Sequence, residues 1–213
     1  MAVIGTPTNG TDAISGDSFD NIIAALGGDD FVLGGFGNDQ LSGNDGNDFL
    51  RGDDGNDTLF GGFGNDELQG NEDNDTLFGG FGNDKLLGGT GNDTLFGDAG
   101  NDTLKGFLGL NGNELDTLTG GGGADTFLLG DQASSFYLNA NGSSFATITD
   151  FNASQGDKIQ INGSVFGSGY TLTKSQNFSG GSALDTLIHK NGDLIAVVQD
   201  TTNVFASLDF VSA

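Results

Sequence analysis

Cysteine is absent from this 213-residue chain, proline occurs once, and six lysines and arginines stand against 30 aspartates and glutamates. Without cysteine there are no disulfides and no thiolate metal sites. One proline among 40 glycines, with no glycine at every third position, excludes a collagen-like helix. The net charge of −24 repels nucleic acid and anionic lipid, so neither is expected as a partner, and it favours cations. No apolar run approaches the roughly 20 residues that span a membrane, so no membrane insertion is expected. The opening MAVIGTPTNGTDAISG has no basic flank and no apolar core of useful length, and does not read as a conventional signal peptide.

What the chain has is a nine-residue period. Gly61 to Leu87 reads GGFGNDELQ GNEDNDTLF GGFGNDKLL, three copies of one phrase without a gap. The same frame extends from Pro7 to Leu128 in 13 units, of which the one starting at Gly106 is five residues longer than the rest. Slot 6 is Asp12, Asn21, Asp30, Asp39, Asp48, Asp57, Asp66, Asp75, Asp84, Asp93, Asp102, Asp116 and Asp125, so a single asparagine interrupts a series of aspartates. Slot 8 is apolar in every unit, from Ile14 and Ile23 through a run of leucines to Phe127. A disordered acidic linker would have no reason to keep leucine there.

Glycine at this density opposes helix. Slots 7 to 9 alternate outward, inward, outward, as a three-residue strand should, which leaves slots 1 to 6 for a turn. Slot 2 is mostly Gly, Asn or Asp (Gly35, Asn44, Asp53, Gly62, Asn71), the residues that tolerate positive φ. Slot 4 is glycine nearly throughout, with Asp73 a lapse that the same logic tolerates.

These residues resemble the glycine-rich nonapeptide GGxGxDxUx of RTX, or hemolysin-type calcium-binding, proteins. The resemblance covers residues 7–128 and implies an all-β fold: a right-handed parallel β-roll, a solenoid with two nonapeptides per coil. It also implies that slot 8 side chains from two sheets meet inside, and that the slot 6 aspartates named above are calcium ligands.

In such a roll the aspartates form two files, one running from Asp12 to Asp125 and the other from Asn21 to Asp116. Carboxylates about 5 Å apart repel by about 1 kcal/mol even in water, and more when partly buried. A cation between successive aspartates reverses the sign. Carboxylates and turn carbonyls are hard oxygen donors that suit Ca²⁺, whereas Mg²⁺ demands strict octahedral order and zinc and copper lack their usual ligands in a chain with one histidine. The two files offer places for about 8–11 calcium ions, which would offset the 23 acids and three bases of residues 1–128. So thin a core predicts that metal binding supplies much of the folding energy.

After Leu128 the period stops. Residues 129–213 hold seven acids and three bases and predict strands at 146–152 and 156–162, a hairpin at 187–199 turning at Asn191-Gly192, and an apolar tail with Phe205, Leu208 and Phe210. The segments GGGGADTF, ATITDF and GDKIQI resemble those that follow the repeats in serralysin-type proteases, RTX lipases and alginate epimerase R-modules. That resemblance implies two domains, a calcium-binding roll (1–128) and a C-terminal β cap (129–213). It also implies that the ending SLDFVSA is a signal for type I secretion machinery, which places a bacterial protein outside the cell or at its surface.

Catalytic signatures are missing. There is no H-E-x-x-H and no G-x-S-x-G; His189, the one histidine, reads as a solvated strand residue. No enzyme is expected. Thr-Leu-Phe recurs so that Phe60, Phe78 and Phe96 line one outer face. Stacking within the sheet, cover by the C-terminal segment, or an interface for self-association or a surface partner would each account for it. The expectation is a non-catalytic calcium-binding protein with a structural or interaction role; the alternative is a carbohydrate-binding accessory module similar to an alginate epimerase R-module.

Overall fold

The computed structural model describes residues 6–107, 114–129, 144–161, 170–174, 185–190, 193–199 and 210–212. Among these there is no helix. The repeat region supplies β1 (Ala13–Ser15), β2 (Ile22–Ala24), β3 (Phe31–Phe36), β4 (Gln40–Asp45), β5 (Phe49–Asp54), β6 (Thr58–Phe63), β7 (Glu67–Glu72), β8 (Thr76–Phe81), β9 (Lys85–Gly89), β10 (Thr94–Ala99), β11 (Thr103–Phe107), β12 (Leu115–Thr119) and β13 (Thr126–Leu128). Beyond it lie β14 (Phe145–Ile148), β15 (Lys158–Ile161), β16 (Tyr170–Lys174), β17 (Thr186–Lys190), β18 (Asp193–Val198) and β19 (Phe210–Ser212).

From β1 to β15 consecutive strands fall in opposite sheets, so each coil of the roll contributes one strand to each. One sheet runs β1-β3-β5-β7-β9-β11-β13-β15-β19, the other β2-β4-β6-β8-β10-β12-β14-β18-β17-β16. Pairing within the roll is parallel and in register: Leu41 faces Leu59, which faces Leu77, which faces Leu95. Slot 8 is buried in every unit, as the alternation requires. This single row of Ile, Val, Leu and Phe from each sheet is the core of the roll.

From β3 to β12 the strands are longer than the expected three residues. β6 runs from slot 7 through slot 3 of the next unit, and Gly62 and Phe63 pair with Gly80 and Phe81 in the same ladder as Thr58 and Leu59. Positive φ at slot 2 (Asn44 74°, Asp53 79°, Gly62 120°) bends the chain without taking its N–H and C=O out of the ladder. Slot 4 then closes the turn, also at positive φ, and Asp73 adopts it at 73°. Such conformations cost an L-residue about 1–2 kcal/mol, and Leu26 at 86° bears that cost without the local hydrogen bonding open to Asn and Asp.

The five extra residues of the Gly106 unit lie between Phe107 and Glu114, and the register recovers beyond them: Thr94 pairs with Thr117 and Thr103 with Thr126. Nor do the sheets stop at Leu128. β14 adds to β12 and β15 to β13, both parallel, with Ile148 and Ile159 taking the buried places above Leu118 and Phe127. β18 and β19 extend these in turn, and β17 and β16 close one sheet in antiparallel pairing. The predicted hairpin is therefore formed by β17 and β18, while its turn residues Asn191 and Gly192 lie outside the described residues, as do Phe205 and Leu208. His189 is not the solvated side chain expected; it is half-buried in β17, with Nδ1 out of contact with solvent.

On the outer faces the rings of Phe60, Phe78 and Phe96 stack at 5.0 Å, one coil apart, and each is half-buried. A second pair, Phe63 and Phe81, stacks at 4.9 Å at the turn edge and stays more exposed. No helix among the described residues is long and apolar enough to cross a membrane.

Candidate metal centre

Slot 6 ends each turn just before a strand begins, so its side chain folds back over the turn that precedes it. The two expected files form. The main-chain N–H of each slot 6 residue donates to Oδ1 of the aspartate one coil further on: Asp12 to Asp30, Asp30 to Asp48, Asp48 to Asp66, Asp66 to Asp84, Asp84 to Asp102 and Asp102 to Asp125, at 2.7–2.9 Å. On the other edge the chain of bonds runs from Asn21 through Asp39, Asp57, Asp75 and Asp93 to Asp116. One oxygen of each carboxylate is thus held by the backbone.

The other oxygen is not. Oδ2 of Asp30, Asp39, Asp48, Asp57, Asp66, Asp75, Asp84, Asp93, Asp102 and Asp125 is buried without a hydrogen-bond partner. A buried, unpartnered carboxylate oxygen is among the costliest arrangements in a folded chain. Burial pushes the carboxyls of Asp48 and Asp125 up to about 6, those of Asp57, Asp66, Asp93 and Asp102 up to about 7 and that of Asp75 up to about 8; the N–H bonds oppose this and neighbouring carboxylates add to it. Asp30, Asp39 and Asp84 shift upward for the same first reason.

Slot 1 shows what surrounds these oxygens. A Cβ on Gly61 would lie 2.4 Å from Asp66 Oδ2 and 2.5 Å from the Gly79 carbonyl oxygen. The same holds at Gly70, at 2.1 Å from Asp75 Oδ2 and 2.6 Å from the Gly88 carbonyl. Glycine here keeps a side chain out of a space lined by a carboxylate and a main-chain oxygen. Among the described residues no three Asp, Glu, His or Cys side chains converge on one point, so further donors would have to be carbonyls or water. Such a donor set, hard and all oxygen, fits Ca²⁺.

Asn21 is an internal control. Its Oδ1 accepts the Asp17 N–H at 2.9 Å, and its Nδ2 donates to Asp17 Oδ1 at 2.9 Å and to the Phe19 carbonyl. Where the carboxylate is replaced by an amide, an N–H donor satisfies the turn oxygens. Asp12 also differs: it is only half-buried, and its Oδ2 accepts from Thr8 N and Thr8 Oγ1 at 2.7 and 2.8 Å. Asp116 is buried in the second file.

Three features escaped the sequence reading. Slot 5 carries asparagine from Asn38 to Asn101, and these form exposed ladders in which the N–H and Nδ2 of Asn65 both donate to Asn47 Oδ1, and those of Asn83 to Asn65 Oδ1. The first file runs on past the repeats to Asp157, whose Oδ1 accepts the Asp125 N–H and whose Oδ2 accepts the Asn152 N–H. Asp157-Lys158-Ile159 repeats the slot 6 to 8 pattern, a signal that was present. Finally Glu114, in the turn before Asp116, is buried.

A model of the RTX calcium-binding nonapeptide repeat matches in four copies, at residues 6–41, 33–68, 69–104 and 111–134. No curated protein matches the chain. Among solved structures it is similar to the AlgE6R3 subunit of the Azotobacter vinelandii mannuronan C5-epimerase, at 28% identity over 68% of this chain and 81% of that one, with a TM-score of 0.46. It is also similar to the extracellular lipase LipA from Serratia marcescens, at 20% identity, 93% of this chain and 39% of the lipase's length, with a TM-score of 0.34. Aspartates in register on both edges of a parallel solenoid, and a family match over more than half of its residues, make this chain a member of the RTX calcium-binding nonapeptide repeat family.

Proposed function

We propose that this calcium-binding repeat module is exported and folds when it meets calcium outside the cell, where it serves a non-catalytic structural or interaction role. The observation that carries this reading is the set of ten buried aspartate Oδ2 atoms without partners. As carboxylates they disfavour the compact state; with calcium they favour it. In this reading each of the ten holds an ion, with Asp116 completing the second file, while Asp12 and Asn21 mark the ends. Residues 1–128 act as the calcium-dependent roll, and residues 129–213 cap it and carry the signal for a type I exporter. A cytosol poor in calcium keeps the chain unfolded, the state an exporter can thread.

Circular dichroism of the full chain, with calcium titrated in and then chelated, tests the reading. The β signal should appear with calcium and vanish with chelator. Identical spectra in both conditions would sink it.

A further inference from the structure

Slot 4 is glycine in most turns, but in the lengthened unit the position two before Asp116 is Glu114. Register places it directly over the previous turn on the same edge: Thr117 pairs with Thr94, the Asp93 N–H donates to Asp116 Oδ1, and the Leu115 N–H donates to Asn92 Oδ1. Glu114 therefore stacks on Gly91, whose N–H bonds to its carboxylate. It is only 7% exposed, and its Oε2 is buried without a hydrogen-bond partner. Across the same gap Asp93 Oδ2 is in the same condition. The main chain of Glu114 is clamped from the following coil, its N–H donating to Ser144 Oγ at 3.0 Å and its carbonyl accepting from Phe145 N at 3.0 Å. In that coil the slot 6 place is taken by Ala146, so the file of acids ends here.

We propose that Glu114 is a cation ligand outside the nonapeptide pattern, paired with Asp93 at the end of the second file. The proposal rests on the reading that the slot 6 aspartates hold calcium, and adds a residue and a rank order to it. An ordinary gap offers the carboxylates of slot 6 and main-chain oxygens. Here Glu114 brings a carboxylate to slot 4, where most turns have glycine, on a main chain already held by its own hydrogen bonds. Extra ligand charge tightens a calcium site, and it favours a trivalent lanthanide more strongly still. The site is the last in its file, next to the first coil that lacks an aspartate on that edge. An ion held there joins the repeats to the strands that follow.

The test is titration of the full chain with calcium by calorimetry and with terbium by luminescence, for the wild type, E114Q and E114G. The wild type should show one step tighter than the rest. Both variants should lose that step or weaken it by about tenfold or more, as removal of a metal ligand does. The weaker steps and the calcium-loaded circular dichroism spectrum should be unchanged. If E114Q does not fold, E114G decides, because glycine is the usual residue of this slot. Variants that titrate like a calcium-binding wild type would overturn the role of Glu114 alone. A wild-type chain that binds no calcium would overturn the broader reading with it.

Discussion

One carboxylate oxygen of Asp84 accepts a hydrogen bond from the main-chain N–H of Asp66, at 2.8 Å, and the other is buried with no partner. The two oxygens therefore do different work. The first carries the register of one coil onto the next and needs no metal. The second makes the register conditional on something that can neutralise it.

Separating these roles gives the first prediction. Asp75→Asn keeps an acceptor for the Asp57 N–H, which Asp75 Oδ1 now bonds at 2.8 Å, but puts a donor where Oδ2 stood. The calcium midpoint of folding should rise about tenfold, with at least one ion fewer at saturation. Calorimetry and a circular dichroism titration report both quantities.

Asn21→Asp reverses the change. It removes the Nδ2 bonds to Asp17 and to the Phe19 carbonyl and installs a carboxylate. In calcium the variant should bind one more ion and melt higher than wild type. In chelator, any residual structure near Asp17–Asn21 should be weaker, since an unpaired carboxylate replaces a satisfied amide. Melting curves under both conditions check the change of sign.

Protons should imitate metal. The aspartates with raised pKa values bind protons more tightly in the metal-free fold than in the unfolded chain, where the ordinary carboxylate value is near 3.8. Their contribution to the metal-free fold is complete below about pH 4 and is lost as pH rises through about 6 to 8. Chelator-treated protein should gain β structure on acidification from pH 8 to pH 5, and calcium affinity should fall over the same range. Calcium binding near pH 7 should release protons, measurable by calorimetry in buffers of different ionisation enthalpy.

Gly61→Ala tests the space that glycine leaves. Gly61 lies outside the positive-φ region, so backbone strain is not the objection; the new Cβ would meet Asp66 Oδ2 and the Gly79 carbonyl. Loss of about 1–3 kcal/mol is expected in calcium, along with weaker calcium binding. Denaturant unfolding at saturating calcium measures the first.

Much of this was legible in the sequence because the period is rigid. A side chain that recurs every nine residues occupies one position on a solenoid, so slot 8 gave the core and slot 6 the two files. The strand ends were not legible: slot 2 looked like part of a turn because Asn44 and Gly62 tolerate positive φ, yet that conformation bends the ladder and keeps it paired. The slot 5 asparagines were visible but unread, since their bonds run backward to Asn47 or Asn65 of an earlier coil. Glu114 sits where the period is broken, and only the register of neighbouring strands places it beside the second file; Asp157 carries the slot 6 to 8 pattern but lies beyond the unbroken frame.

Because the middle coils bond only to those on either side, the molecule resembles a ruler with interchangeable divisions. Joining Phe60 to Gly79 would delete 18 residues and recreate the TLF–GGF junction that Phe60–Gly61 and Phe78–Gly79 already make. Such a deletion should shorten the rod by about 4.8 Å and leave both ends intact. The length of this protein is thus a quantity that duplication or loss could reset one division at a time, without redesign of any surviving contact.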